Sequence, residues 1–157
     1  MNRKPDIRVF IGVGLWNRGI MKQLEFVLKK SLVDLACAAR ENAYSPYSDF
    51  CVGAALLSSD GRIFTGANIE NGSYGATICA ERSAFAAAVS VGVRSFDAIA
   101  VVGGRRGEPV SELCPPCGIC RQFMAEFCSQ DFLVLLFDGQ EFVEKTLSEL
   151  LPEAFRL

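Results

Sequence analysis

The chain has 157 residues, half of them apolar and 22% charged, with a formal net charge of −2 and no histidine. That length and balance suit one globular domain whose core is large enough to fold unaided. The slight acidity excludes a surface built to grip a nucleic-acid backbone, and the missing histidine excludes Ser-His-Asp catalysis, Cys-His pairs and imidazole metal ligands.

In chain order, residues 1–20 follow neither helical nor strand periodicity, and Gly12, Gly14 and Gly19 interrupt them. They are expected to form an N-terminal extension to a single domain over 21–157. The apolar "VFIGVGLW" behind Arg3, Lys4 and Arg8 is short for the core of a signal peptide and lacks a small-residue cleavage site, so a cytoplasmic protein is expected. No apolar run is long enough to span a membrane. From Met21 onward, Leu24, Val27, Leu28, Leu32, Leu35 and Ala39 recur at helical intervals.

After the turn-rich "AYSPYSD", two apolar strands flank Asp60-Gly61, a strong hairpin signal. The alanine-rich "CAERSAFAAAVSVG" predicts a helix over 79–91, and "FDAIAVVGG" a buried strand. "PPCGICRQFMAEFC" reads as a helix with proline at its start. "DFLVLLFDGQ" reads as another buried strand and turn, and "TLSELLPEAF" as a closing helix capped by Thr146. This order implies a mixed sheet sandwiched between helices.

Seven cysteines, an odd count at irregular spacing, fit reduced thiols and metal ligands better than a disulfide framework. Cys117-Gly-Ile-Cys120 alone supports a redox dithiol and a metal site equally. The tie breaks at Cys79, which opens another predicted helix. Two helix starts can converge, and Cys117 and Cys120 share one helical face. Both helix dipoles favour thiolate there. Three sulfurs with one coordination position left open are the pattern of catalytic zinc; Cys114 as a fourth ligand would close the site, and the prolines stiffening its approach make it a bystander. Glu81, two residues past Cys79, then has a purpose beyond favouring the helix dipole: it lies beside the open position without binding the metal.

"CAE" followed by "PCGICRQ" resembles the zinc-dependent nucleoside deaminases, specifically the small homotetrameric cytidine deaminases with three cysteine ligands. "AYSPYSDFCVGAALL", "GANIEN", "CAERSAF", "PCGICRQF" and "LLPEAF" fall in that family's order over about residues 24–155. The first twenty residues and Cys114 depart from it. The resemblance implies a three-layer α-β-α sandwich with a mixed five-stranded sheet. It also implies one Zn²⁺ per subunit on Cys79, Cys117 and Cys120, and hydrolysis of cytidine and 2′-deoxycytidine to uridine and 2′-deoxyuridine with release of ammonia, in pyrimidine salvage. Glu81 would carry protons to ring N3 and to the departing amine.

Asn68 and Glu70 would hold the ribose hydroxyls, with Asn71 in the same motif, and Phe50 would pack against the nucleoside. Tyr74 would line the pocket, and the Ala80 backbone N–H would address the pyrimidine carbonyl. Phe155 would stack on the base from a neighbouring subunit, so that active sites are shared within a homotetramer. The expected partner is a small-molecule nucleoside, with neither nucleic acid nor membrane. Three thiolates overcompensate Zn²⁺ by one charge, and Arg82 is expected to offset this by hydrogen bonding to the sulfurs, ahead of Arg121. Cys37, Cys51 and Cys128 are expected to be structural.

Three rival readings remain on the residues alone. A blasticidin-type aminonucleoside deaminase would use the same zinc apparatus, although "NIEN" favours an ordinary nucleoside. A non-catalytic zinc-stabilised module requires closure by Cys114. A CxxC oxidoreductase requires a metal-free dithiol at Cys117 and Cys120.

Overall fold

The computed structural model describes residues 18–155, with side chains from Glu25 onward; residues 1–17 of the expected extension lie outside the described residues. Helix α1 (Arg18–Arg40) starts three residues before Met21. Its buried face carries Leu32, Val33, Ala36, Ala39 and Arg40, whereas Val27 and Leu35, expected on that face, are 54% and 36% exposed. The reason is Gly53. A methyl group there would come within 2.0 Å of Ala36 O and 2.4 Å of Arg40 N. The helix backbone therefore rests on the sheet at Ala36 and Arg40, and Leu35 falls roughly 100° round the helix from that line.

The five strands are β1 (Phe50–Ser58), β2 (Ile63–Ala67), β3 (Phe96–Arg105), β4 (Leu133–Phe137) and β5 (Phe142–Thr146), arranged β2-β1-β3-β4-β5. The β1–β2 hairpin turns at Gly61, whose φ of +85° suits glycine. β1 is antiparallel to β3, with Cys51 opposite Gly104, and β5 is antiparallel to β4. β3 and β4 are parallel, with Ala98 opposite Leu133, and helix α3 (Gly118–Phe127) supplies the crossover. The sheet is thus mixed, as expected. β5 is the strand that local periodicity does not reveal: at the sheet edge its Val143 and Glu144 are exposed, so no alternation marks it.

Side chains alternate across the sheet with period two. Ala54, Leu56, Ile99, Val101, Val134 and Leu136 face a core shared with Ala84, Phe85 and Ala88 of helix α2 (Ala80–Ser90), Met124 of α3, and Leu147 of helix α4 (Leu147–Leu150). Ala55, Ala98, Ala100, Val102 and Leu135 face Leu32, Val33 and Ala36 of α1. The result is a three-layer α-β-α sandwich. Phe85 anchors the larger core, edge-on to Phe96 at 4.9 Å and near-parallel to Phe127 at 5.8 Å. Thr146 caps α4 through a reciprocal capping box with Glu149. Among the described residues, no helix is long and apolar enough to cross a membrane.

Helix α2 sits on β2 as closely as α1 sits on β1. A methyl at Gly66 would lie 2.4 Å from both Ala80 O and Ala84 N. Gly66→Ala is expected to cost about 1–3 kcal/mol through overpacking, measured as a lowered denaturant midpoint. Gly75→Ala, where nothing lies within 4 Å, is expected to stay within about 0.5 kcal/mol of the parent.

Candidate active site

Two helices begin at cysteines. Cys79 is the N-cap of α2 and Cys117 the N-cap of α3; both are extended, and neither uses its side chain as a cap. The expected helices are therefore one residue shorter at Cys79, and Pro115 and Pro116 precede α3 rather than opening it. A proline at either position would be tolerated inside a first turn, but here the pair delivers an extended chain to Cys117. The thiols that a serine or aspartate cap would have spent on backbone N–H groups are left to point at each other. Cys79 Sγ and Cys117 Sγ lie 3.8 Å apart, and Cys120, in the first turn of α3, is buried beside them.

Among the described residues, Cys79, Cys117 and Cys120 form one group that could hold a metal, with their sulfurs all within 4.8 Å of one another. Tetrahedral zinc at about 2.3 Å from each sulfur requires sulfurs roughly 3.8 Å apart, so the donor set fits the ion. Cys114 is not in the group. No disulfide joins any of the seven cysteines; Cys51 and Cys128 are buried, and Cys37 half-buried on α1.

The thiols do not share one ionisation behaviour. Cys79 is pulled down to about 5, chiefly by a hydrogen bond from Cys120 and further by the Arg82 guanidinium. The same hydrogen bond, with burial and the Glu81 charge, pushes Cys120 up. Burial pushes Cys114 up to about 12. A cation binding there must displace the Cys120 proton. Glu81, only 4% exposed, has its carboxyl pushed up by burial and by the Cys79 charge. Arg82 Nη2 donates to Thr77 O at 3.0 Å and approaches Cys79 Sγ at 3.9 Å. Arg121 faces elsewhere, tying Pro116 O to Leu150 O at 2.7 Å each.

The other expected residues fall into two groups. Phe50, half-buried at the start of β1, shares with Cys114 the space over Gly103: a methyl there would meet Cys114 Sγ at 2.6 Å and the Phe50 ring at 2.9 Å. Asn68 is buried and braces β1, accepting from Val52 N at 2.8 Å and donating to Phe50 O at 2.9 Å. One amide hydrogen remains for a ligand. Ala80 is the first residue of α2, so its N–H is among those the helix leaves unpaired. By contrast, Asn71 closes a turn by accepting from Ser73 N, and Tyr74 and Phe155 are 82% and 64% exposed.

Glu70 is held by partners that inspection of the sequence misses. Its carboxylate accepts from Tyr47 N at 2.8 Å, Ser48 N at 3.2 Å and the Ser48 hydroxyl, which hold it below its usual range, the hydroxyl most of all. Nothing local marks Ser48, which lies 22 residues away. Arg40 has a legible signal, a cation on the apolar face of α1. It donates to Cys51 O, Arg105 O and Glu108 O, and these carbonyls offset the cost of its burial.

Comparison with known proteins agrees with this geometry. Residues 27–136 match the family model described as the cytidine and deoxycytidylate deaminase zinc-binding region. The chain is 56% identical over 118 residues to a cytidine deaminase of Sporosarcina psychrophila, covering 74% of this chain and 83% of that one. It is 54% identical over 128 residues to the cytidine deaminase of Halalkalibacterium halodurans, covering 81% and 93%. The crystal structure of cytidine deaminase from Burkholderia pseudomallei superimposes with a TM-score of 0.73 at 46% identity, covering 80% of this chain and 98% of that one. The chain belongs to the zinc-binding cytidine and deoxycytidylate deaminase family.

Proposed function

We propose that the chain hydrolyses cytidine and 2′-deoxycytidine at C4, so that water supplies the new C–O bond, the C–N bond breaks, and uridine or 2′-deoxyuridine leaves with ammonia. The observation that carries this reading is the pairing of three converging sulfurs with a buried carboxyl, Glu81, beside them. Kinship with cytidine deaminases supports the substrate. Zinc, when bound by Cys79, Cys117 and Cys120, supplies a Lewis acid that makes water a nucleophile near neutral pH.

The chain's own residues do the rest. Glu81 accepts a proton from the attacking water and delivers it to ring N3, then takes the remaining proton from the C4 hydroxyl of the adduct and passes it to the departing amine, so that C4=O forms as the C–N bond breaks. Its burial excludes competing bulk water and keeps the carboxyl basic enough for the task. The Ala80 N–H donates to the pyrimidine carbonyl, and Phe50 offers an apolar wall. Glu70 already accepts three hydrogen bonds, leaving about one of a carboxylate's four acceptor positions for a ribose hydroxyl; Asn68 contributes its remaining amide hydrogen. Arg82, beside Cys79 Sγ, offsets the surplus thiolate charge.

The wide exposure of Phe155 supports completion of the site by a second copy, in a homotetramer. A cytoplasmic role in pyrimidine salvage follows from the same reading.

Three outcomes test it. Glu81→Gln is expected to retain zinc by metal analysis while ammonia release from cytidine falls about 10²- to 10⁴-fold; blasticidin S assayed alongside identifies the aminonucleoside alternative if it alone is turned over. Arg82→Ala is expected to weaken zinc affinity about 10- to 100-fold in chelator competition, and unchanged affinity and turnover would remove its role. Phe155→Ala is expected to raise KM for cytidine about tenfold, as loss of a stacked base contact does, without loss of bound zinc.

A further inference from the structure

We propose that Arg106 is a positioning residue for nucleoside binding, holding the turn at 45–50 in the shape that aims Ser48 at Glu70. This rests on the reading that Glu70 receives the ribose hydroxyls.

Arg106 lies in the loop after β3, outside the three-sulfur group, yet its side chain reaches three residues in and just before the turn, Ala43, Ser45 and Asp49. Its Nη2 donates to the buried Ser45 Oγ at 2.9 Å and reaches Ala43 O at 3.5 Å. Its Nε donates to Asp49 Oδ1 at 3.2 Å, and its backbone N donates to Asp49 O at 3.0 Å. Asp49 has a φ of +57°, the left-handed conformation that only short polar side chains and glycine accept readily. That single reversal separates the two residues that matter to the site. Before it, Ser48 donates its hydroxyl to Glu70 and accepts from Phe50 N at 3.1 Å. After it, Phe50 begins β1.

The clamp is itself fixed from below. Arg40 donates to Arg105 O and Glu108 O on either side of Arg106, so the guanidinium is presented from a braced loop. An exposed ion pair such as Arg106–Asp49 contributes little to stability; its geometric effect is larger, because a three-point fork fixes an orientation that a point charge cannot. The Arg106 charge also helps keep Glu70 ionised.

The test compares zinc-loaded R106M, R106K, E70Q and the E70Q/R106M double variant in steady-state kinetics on cytidine and on 2′,3′-dideoxycytidine, with melting curves for each. R106M is expected to raise KM for cytidine about fivefold to tenfold, the scale of one misaligned charge-assisted hydrogen bond, with kcat within about twofold. R106K should recover part of this, and R106M should add nothing to E70Q, because the two act as one unit. KM for the dideoxy substrate should not move. If E70Q raises KM for cytidine and R106M does not, the ribose role of Glu70 stands and the inference about Arg106 is overturned. If E70Q leaves KM unchanged, the ribose reading falls and takes this inference with it. Equal losses on both substrates would mark Arg106 as a general structural residue and overturn the proposal. Should R106M not fold, R106K carries the same comparisons.

Discussion

The site depends on two helix starts being forced to one place. Cys79 and Cys117 lie 38 residues apart in sequence and 3.8 Å apart at their sulfurs. What closes the gap is the sheet. α2 is pressed onto β2 through Gly66, and α3 is carried over the same face by the parallel β3–β4 crossover. A shared core of Ala84, Phe85, Ala88 and Met124 then locks the two helices together. The hydrophobic interior thus does mechanical work for the polar site: it sets the sulfur spacing before any ion is bound.

Electrostatics follows from that convergence. Cys79 and Cys120, held so close, cannot ionise independently. Cys79, the neighbour of Arg82, is the one pulled down. The carboxyl next to them is lifted by the same low-dielectric surroundings. Burial lifts the Cys120 thiol and the Glu81 carboxyl alike, while the hydrogen bond from Cys120 and the Arg82 guanidinium pull Cys79 down against it.

The chemistry was legible because it is local in sequence. Cys117 and Cys120, three residues apart, share one face by spacing alone, whereas Glu81, two past Cys79, stays within the same turn but points another way. The hairpin at Gly61 and the capping box at Thr146 are likewise short-range patterns. Features fixed by register were not legible. The α1 stripe is rotated away from Leu35 by backbone contact at Gly53, and β5 hides its pairing behind edge charges. Asn68 spends most of its amide on β1, which its "NIEN" context does not announce. The grip of Ser48 on Glu70 exists only because the β1–β2 pairing and the 45–50 turn bring them together. Tyr74 and Phe155 carry a further lesson: residues that a single chain leaves facing outward acquire a role, if at all, from neighbours.

Helix ends ordinarily satisfy their first amides with an oxygen from a cap side chain. Here both caps are cysteines that make no such bond. An ion held by Cys79 and Cys117 would therefore also fasten the opening turns of α2 and α3 to each other. Chelation would remove that tie from both turns at once, while the shared core of α2 and α3 keeps them adjacent; Glu81 and Arg82 ride on one of them. Because the shared core already holds the sulfurs close, refilling a demetallated site restores a charge and ties together two turns that already stand side by side.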